Sequence, residues 1–152
     1  MADGKDDHIQ VSDAPNALDI EALDDRIDAF NAALTGIHDG RLLSIVLKTA
    51  AGELYAGLHG HTWGGCCEIK TLWIAESWRR QGLGKRLLQA AENEAVRRGC
   101  GIVVLSSHSF QAPEFYERQG YRRVATVDGY PTGYSYILLV KSLPGRTSSS
   151  DG

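Results

Sequence analysis

The sequence has few cysteines and no long apolar run. Its three cysteines are Cys66, Cys67 and Cys100, and their spacing fits neither a zinc site nor a disulfide framework. We therefore predict free thiols and no metal. No apolar stretch approaches the length of a membrane span, and the N-terminus lacks the basic start and apolar stretch of a signal peptide. These absences predict a cytoplasmic protein with no membrane partner.

Net charge is also small, at −3, but it is unevenly placed. Residues 1–29 hold nine acidic residues against Lys5 and Arg26, whereas the rest of the chain holds 14 basic and 10 acidic residues. The acidic part is either a solvated helix face or a negative rim that attracts a cationic substrate. A nucleic-acid partner is not predicted, because the sequence has no basic stripe.

Hydrophobic spacing predicts a strand, a helix and three further strands in the first half of the chain. From Asp19, apolar residues recur every three or four positions, which forms one stripe on a helix, and Gly36 can close that helix. The segments 51–53 and 64–65 contain glycine and predict turns between strands. The predicted strands are residues 8–11, 42–47, 54–61 and 66–75, and the helical stripe is Ile20, Leu23, Ile27, Phe30 and Leu34.

The second half predicts a helix, a strand, a short helix and two strands. A helical pattern starts at Gly82 and ends at Gly99. The continuous apolar run at residues 102–105 is typical of a strand covered on both faces. Pro113 suits the first turn of a short helix that ends at Gly120. The last two predicted strands are residues 121–126 and 135–140.

This order of elements predicts an α/β fold (α+β mixed) with a single central, mostly antiparallel sheet flanked by helices. A parallel pair is expected where a helix joins strand 66–75 to strand 102–105. We expect one domain over residues 1–143. The tail at 144–152 is expected to be disordered, because it has no apolar residue to bury.

The loop between the third strand and the following helix is suited to holding an anion. Backbone N–H groups at a helix start have no partner within the helix. Gly82 and Gly84 present no side chain to an approaching anion. Arg79, Arg80 and Lys85 add positive charge, and the helix dipole acts in the same direction. The sequence therefore predicts a pyrophosphate site here.

Three glycine motifs could account for this loop. A Walker A loop requires Ser or Thr after Gly84-Lys85, but Arg86 stands there. A dinucleotide fingerprint requires a glycine at position 87, which is Leu. The pattern [Arg/Gln]-x-x-Gly-x-[Gly/Ala] is satisfied by Arg79, Gly82 and Gly84, and it gains weight from its place between a strand and an amphipathic helix.

With this loop, the sequence resembles the GNAT-type N-acetyltransferases. The likeness rests on Leu72-Trp73-Ile74-Ala75, on the loop, on the 102–105 strand and on Tyr116-Glu117-x-x-Gly120-Tyr121. It implies a direct transfer of acetyl from acetyl-CoA to an amine, with neither a covalent enzyme intermediate nor a metal. It also implies that the pantetheine arm pairs with Leu72, Trp73 and Ile74 where their strand splays from the 102–105 strand. The pyrophosphate would rest on the backbone amides of Arg80, Gln81, Gly82, Leu83, Gly84 and Lys85.

The resemblance also suggests an acid and a base. Tyr116 occupies the position of the family's C-terminal tyrosine, which would protonate the departing thiolate; the alternative is a core aromatic. Glu68 stands where some protein-modifying members carry a glutamate base. Period-two alternation places Glu68 on one face with Lys70, Leu72 and Ile74, and a Glu68–Lys70 ion pair is the alternative role. His108, His61 and a water chain are competing bases.

The acceptor is the least determined part of the prediction. The candidate substrate-binding residues suit a small, polar, positively charged amine, and the stretch from Ser107 to Tyr116 resembles a subgroup with aminoglycoside (kasugamycin-type) N-acetyltransferases. An aminoglycoside-type antibiotic is our sequence-based choice. A protein or peptide N-acetyltransferase, a non-catalytic acetyl-CoA-binding module and a homodimer remain open. The candidate residues are Asp28, Trp63, His108, Phe110 and Tyr134.

Overall fold

The chain divides into two compact units, Met1–Ile37 and His38–Gly152. A computed structural model describes residues 8–144. The predicted disordered tail, apart from Pro144, therefore lies outside the described residues. None of the helices within the described range combines the length and the apolar character needed to span a bilayer.

The first unit contains helix α1, Ala17–Thr35, which confirms the predicted helix. The Asn16 side chain accepts a hydrogen bond from the Leu18 N–H and starts the helix two residues before Asp19. Gly36, with φ at 72°, ends it. The predicted strand at residues 8–11 is wrong, because this segment has neither strand nor helix. Its short apolar pattern is insufficient, since a strand forms by pairing with neighbours.

The second unit is built on one six-stranded sheet. Its elements are β1 Arg41–Lys48, β2 Leu54–Trp63, β3 Cys66–Ile74, a 3-10 helix Glu76–Trp78, α2 Leu83–Arg97, β4 Ile102–His108, α3 Pro113–Arg118, β5 Arg122–Asp128 and β6 Ser135–Ser142. The strand order is β1-β2-β3-β4-β6-β5. Strands β3 and β4 are parallel and joined through helix α2, whereas the other neighbours are antiparallel. The parallel pair and the antiparallel remainder were both predicted from the sequence.

Helices α2 and α3 pack against one face of this sheet, which we call the helix face. Alternate residues of the central strands, such as Cys67 on β3, Val103 on β4 and Leu139 on β6, are fully buried there. Leu88 of α2 and Tyr116 of α3 belong to the same core. The opposite side of the sheet, which we call the second face, carries the intervening residues.

A β-bulge at Lys70 changes which residues of β3 share a face. Ile69 pairs with Gly60 and Thr71 pairs with His59, so Lys70 is an extra residue. An extra residue inverts the alternation beyond it. The prediction that Glu68 shares a face with Leu72 and Ile74 is therefore wrong. Leu72 packs against the helix-face core, and Glu68 lies on the second face.

Candidate active site

Strands β3 and β4 form a fork at the centre of the sheet. They pair where Cys66–Ile69 lies beside Ile102–Leu105. Beyond that point, β3 continues beside β2 as far as Ile74, and β4 continues beside β6 as far as His108. Backbone donors and acceptors at a sheet edge need partners. The fork can therefore receive an extended ligand between the two strands.

A cavity of about 200 Å³ lies at the start of the fork. Glu68 and Ser106 contribute its acidic and hydroxyl groups, and Tyr136 of β6 adds an aromatic ring. The remaining lining residues are Ile69, Lys70, Val104, Leu105 and Leu138. This combination suits a ligand that is partly apolar and carries a polar or positively charged group.

The loop after β3 has the geometry of an anion site. Gly82 caps α2 with φ at 77°, and the Gly82 carbonyl accepts the first helical hydrogen bond, from the Arg86 N–H at 3.1 Å. The N–H groups of residues 83–85 therefore lie at the helix start without an acceptor in the helix. Apart from the chain neighbours of Gly82, no atom of the described residues lies within 4 Å of a Cβ built on it. An anion can approach these amides closely.

Two arginines shape this loop in different ways. Arg79 Nε donates to the Ile74 carbonyl at 2.9 Å and fastens the loop to the end of β3. Arg80 has φ at 62°, a region that side chains other than glycine rarely adopt. Such local strain is typical of functional loops. The arrangement fits a pyrophosphate, with Arg79, Arg80 and Lys85 as the positive charges beside it.

Gly84 has a packing role that its place in the motif does not reveal. A Cβ there would lie 3.2 Å from Ile74 Cδ1 and 3.4 Å from Phe115 Cζ. The absence of a side chain therefore lets α2 approach β3 and α3 closely. The sequence assigned Gly84 to anion access alone, because Phe115 is distant along the chain.

Tyr116 lies in α3 on the helix face. It is 9% exposed and packs edge-to-face against Phe115 and Tyr121, with ring centroids 5.1 and 5.9 Å away. Burial raises the pKa of the Tyr116 hydroxyl. Since the neighbouring Phe115 reaches Gly84 of the loop, α3 lies directly beside the predicted pyrophosphate site.

Glu68 approaches the fork from the other side of the sheet. Its side chain is half exposed, and Oε2 lies 3.6 Å from Nε2 of His61 on the neighbouring strand β2. In the part of the chain that the structure describes, Glu68 thus pairs with His61 rather than with Lys70. The side chain lines the cavity, so a proton acceptor is available there.

Three of the residues predicted to bind the acceptor molecule lie together near the end of β4. His108 stacks on Phe110 with ring centroids 5.3 Å apart, and Phe110 contacts Tyr134 edge-on at 5.1 Å. Tyr136, which the sequence analysis did not select, packs against His108 at 5.1 Å. The only sequence signal for Tyr136 was its place near the start of the predicted strand 135–140. We call His108, Phe110, Tyr130, Tyr134 and Tyr136 the aromatic cluster.

Trp63 is not brought to this place. Trp63 pairs with Cys66 at the beginning of β3, whereas the loop and the aromatic cluster follow the carboxyl ends of β3 and β4. Trp63 is therefore at the opposite end of the sheet. Asp28 lies in α1, in the first unit.

Comparison with known proteins identifies the class. The sequence profile of the Acetyltransferase (GNAT) family matches residues 8–121, and the chain belongs to this family. The chain is thus an N-acetyltransferase, which confirms the family, fold and reaction class predicted from the sequence. Enzymes of this family use acetyl-CoA.

Individual relatives agree with this assignment. The chain is 38% identical to the blasticidin-S acetyltransferase of Streptomyces morookaense over 79% of this chain and 92% of the relative. It is 32% identical to an acetyltransferase of Agrobacterium fabrum over 86% and 96%. A solved acetyltransferase structure from Agrobacterium tumefaciens is 31% identical, with a TM-score of 0.78 over 89% of this chain and 98% of the other.

Proposed function

We propose that this enzyme transfers acetyl from acetyl-CoA directly to a primary amine of a small polar antibiotic, with blasticidin S as the first candidate. The observation that carries the proposal is the fork between β3 and β4. Its cavity is lined by Glu68 and adjoins the aromatic cluster through Tyr136, and the anion-binding loop follows the end of β3. The loop would hold a nucleotide cofactor, and the cavity would hold the acceptor amine.

In this proposal, the chain's own groups would hold acetyl-CoA. The N–H groups at the start of α2 would bind the pyrophosphate, with charge from Arg79, Arg80 and Lys85. The backbone of Leu72, Trp73 and Ile74 would pair with the pantetheine amides along the fork. A backbone N–H of β3 would then stabilise the oxyanion that forms at the thioester carbonyl.

Two side chains would move the protons. An alkyl ammonium has a pKa of about 10 and must lose a proton before its nitrogen can attack, and Glu68 would accept that proton. The new N–C bond forms as the C–S bond breaks, and the sulfur leaves as a thiolate. Tyr116 would donate its proton to that thiolate. Since the raised pKa keeps this hydroxyl protonated at neutral pH, it is suited to act as the acid.

The relatives support a small acceptor. A cavity of about 200 Å³ is smaller than the usual site of a drug-sized ligand, so it would hold the amine arm of the acceptor and leave the rest of the molecule outside. The blasticidin-S acetyltransferase, 38% identical, places blasticidin S ahead of the aminoglycosides that the sequence suggested. A peptide acceptor and a non-catalytic acetyl-CoA-binding role are the competing functions.

An acceptor panel tests this proposal. The enzyme would be incubated with acetyl-CoA and, separately, blasticidin S, kasugamycin, other aminoglycosides and a lysine-containing peptide, with mass spectrometry of the products. We expect a singly acetylated antibiotic. Acetylation of the peptide alone would favour the protein-modifying function, and acetyl-CoA binding with no acetylated product would favour the non-catalytic one. Either result would contradict the proposal.

A further inference from the structure

The aromatic cluster is a preformed surface beside the cavity. His108 lies at its centre, stacked within 7° of parallel on Phe110 and edge-on to Tyr130 at 4.8 Å. Tyr130 in turn packs against Tyr136 at 5.3 Å. Tyr136 also lines the cavity at the fork. The cluster and the cavity are therefore continuous.

Hydrogen bonds fix the loops that carry these rings. His108 Nδ1 lies 3.1 Å from the Tyr130 carbonyl, and the His108 N–H donates to Gln111 Oε1 at 2.7 Å. Ser109 and Ser135 exchange two bonds, since each backbone N–H donates to the other residue, at 2.8 and 3.0 Å. A ligand would therefore meet rings that are already in place, and little conformational entropy would be lost on binding.

The outer rings of the cluster are exposed although they are large and apolar. Phe110, Tyr130 and Tyr134 are 55%, 56% and 51% exposed, while His108 and Tyr136 beneath them are half-buried. Contiguous exposed aromatic surface beside a cavity is typical of a binding site. The exposed rings offer flat faces, which carry partial negative charge.

The charges on the segments that carry the rings favour a cation, although Lys70 lines the adjoining cavity together with Glu68. Segments 104–112 and 124–140, which supply every ring, contain no lysine or arginine. Their single charged residue is Asp128, whose Oδ1 accepts a hydrogen bond from Ser135 Oγ at 2.8 Å. Negative ring faces and a carboxylate attract a positive ligand. A flat cation gains additional stacking contact with these rings, as the guanidinium group does.

We propose that the aromatic cluster binds a flat, positively charged group of the acceptor, of the guanidinium type, while a primary amine on the same molecule enters the cavity beside Glu68. This inference rests on the proposed function, because it names the acceptor's second recognised group. It makes the enzyme selective for molecules that carry a flat cation and a primary amine on one short chain.

Two matched dications, agmatine and cadaverine, test whether the cluster prefers a flat cation. Agmatine carries a guanidinium group and a primary amine, and cadaverine carries an ammonium in place of the guanidinium on a chain of similar length. Their binding to the wild-type protein would be measured by titration calorimetry without acetyl-CoA. We expect agmatine to bind about fivefold to tenfold more tightly, as a cation stacked on aromatic faces would. Equal affinity for agmatine and cadaverine, or no binding of either compound, would overturn the proposal.

Variants of Phe110 test whether the preference for agmatine comes from the aromatic cluster. Phe110→Leu keeps an apolar side chain but removes the ring, and we expect it to abolish the preference for agmatine with cadaverine affinity unchanged. Phe110→Tyr keeps the ring and should retain the preference. An undiminished preference in Phe110→Leu would overturn the assignment. Because Phe110 is more than half exposed, both variants should fold, and unchanged acetyl-CoA affinity checks this.

The two proposals fail in different ways. Loss of the agmatine preference with intact acetylation of an antibiotic would defeat the cation site alone. A retained preference without turnover of any amine would defeat the proposed function alone. Binding and turnover therefore have to be measured on the same preparation.

Discussion

Glu68 and Tyr116 lie on opposite faces of the sheet. Tyr116 is buried in the helix-face core, whereas Glu68 is half exposed beside His61. The separation keeps a proton donor and a proton acceptor from pairing with each other. An amine and a thioester that meet in the fork would lie between them.

Replacement of Tyr116 by Phe tests the acid. Because burial raises the pKa of Tyr116 above its ordinary value of about 10, the wild-type hydroxyl should stay protonated and active up to at least that pH. We expect Tyr116→Phe to lower kcat about 100-fold, with little change in acetyl-CoA affinity. Thiol release and calorimetry measure the two quantities. Full activity in the variant would show that the hydroxyl is not the acid.

Replacement of Glu68 by Gln tests the base through its pH dependence. At low pH the amine carries a proton that the base must remove, whereas near pH 10 a large part of it is already neutral. We therefore expect the acetylation rate of Glu68→Gln, relative to that of the wild type, to fall most at low pH. His61→Asn, which removes the neighbour of Glu68, should have a smaller effect. A loss that is uniform across pH would point to substrate binding.

The sequence predicted residues whose role follows from local chemistry. Gly82 and the cationic side chains of the loop could be predicted as an anion site because a strand, two glycines and a helix start stand next to one another. Tyr136 and the packing role of Gly84 were missed, because both depend on contacts between segments that are distant in the sequence. The grouping of His108 with Phe110 and Tyr134 likewise depends on how β4 and β6 pair.

Among the elements, β3 departs most from its predicted pattern. Its bulge at Lys70, directly after the point where the fork opens, moves Leu72 and Ile74 to the helix face. Gly60 lies opposite the bulge, and a Cβ there would overlap the carbonyl oxygen of Glu68. A glycine within a strand is a weak sign of a bulge, and alternation alone could not place it. The faces on which the residues of β3 beyond Lys70 lie could therefore be read only from the structure.

Gly60→Ala tests whether this close approach supports the fork. We expect a loss of about 1–3 kcal/mol in the free energy of unfolding, because the backbone must move apart to admit the methyl group. Gly101→Ala is the matched control, since within residues 8–144 no atom outside its chain neighbours lies within 4 Å of a Cβ there. Denaturant titration measures both variants. Equal stability of the two would contradict the role assigned to Gly60.

For the whole second unit, the prediction of a single, mostly antiparallel sheet with a parallel β3–β4 pair is confirmed. The crossover through α2 made this predictable, because a helix that joins two sheet strands favours a parallel pair.

The predicted strand at residues 8–11, in the first unit, was wrong because two exposed apolar residues, Ile9 and Val11, are spaced as in the alternating pattern of a strand. Periodicity cannot show whether a partner strand exists.

The thiols report on the packing of the whole second unit. Cys67 and Cys100 are buried and Cys66 is half-buried. Burial raises the pKa of all three thiols, that of Cys67 to about 11. Since the thiolate is the reactive form, we expect slow modification by Ellman's reagent at pH 8, faster modification at higher pH, and three reactive thiols after unfolding.

A Cys66→Ser variant is the control for this measurement. It should remove most of the slow reaction of the folded protein and leave two thiols after unfolding. Three rapidly reacting thiols at pH 8 without denaturant would contradict the packing described for the sheet. The result also sets the background of any assay that follows the release of coenzyme A thiol.

Binding of acetyl-CoA to a Gly82 variant tests the cofactor loop most directly. Asn tolerates a positive φ, so Gly82→Asn should fold while its side chain occupies the space before the α2 amides. Gly52→Asn is the control, because Gly52 has φ at 86° and equally open surroundings. By calorimetry we expect saturable binding to the wild type and the control, and at least tenfold weaker binding to Gly82→Asn. Equal affinity in all three proteins would contradict the assignment of the loop as the pyrophosphate site.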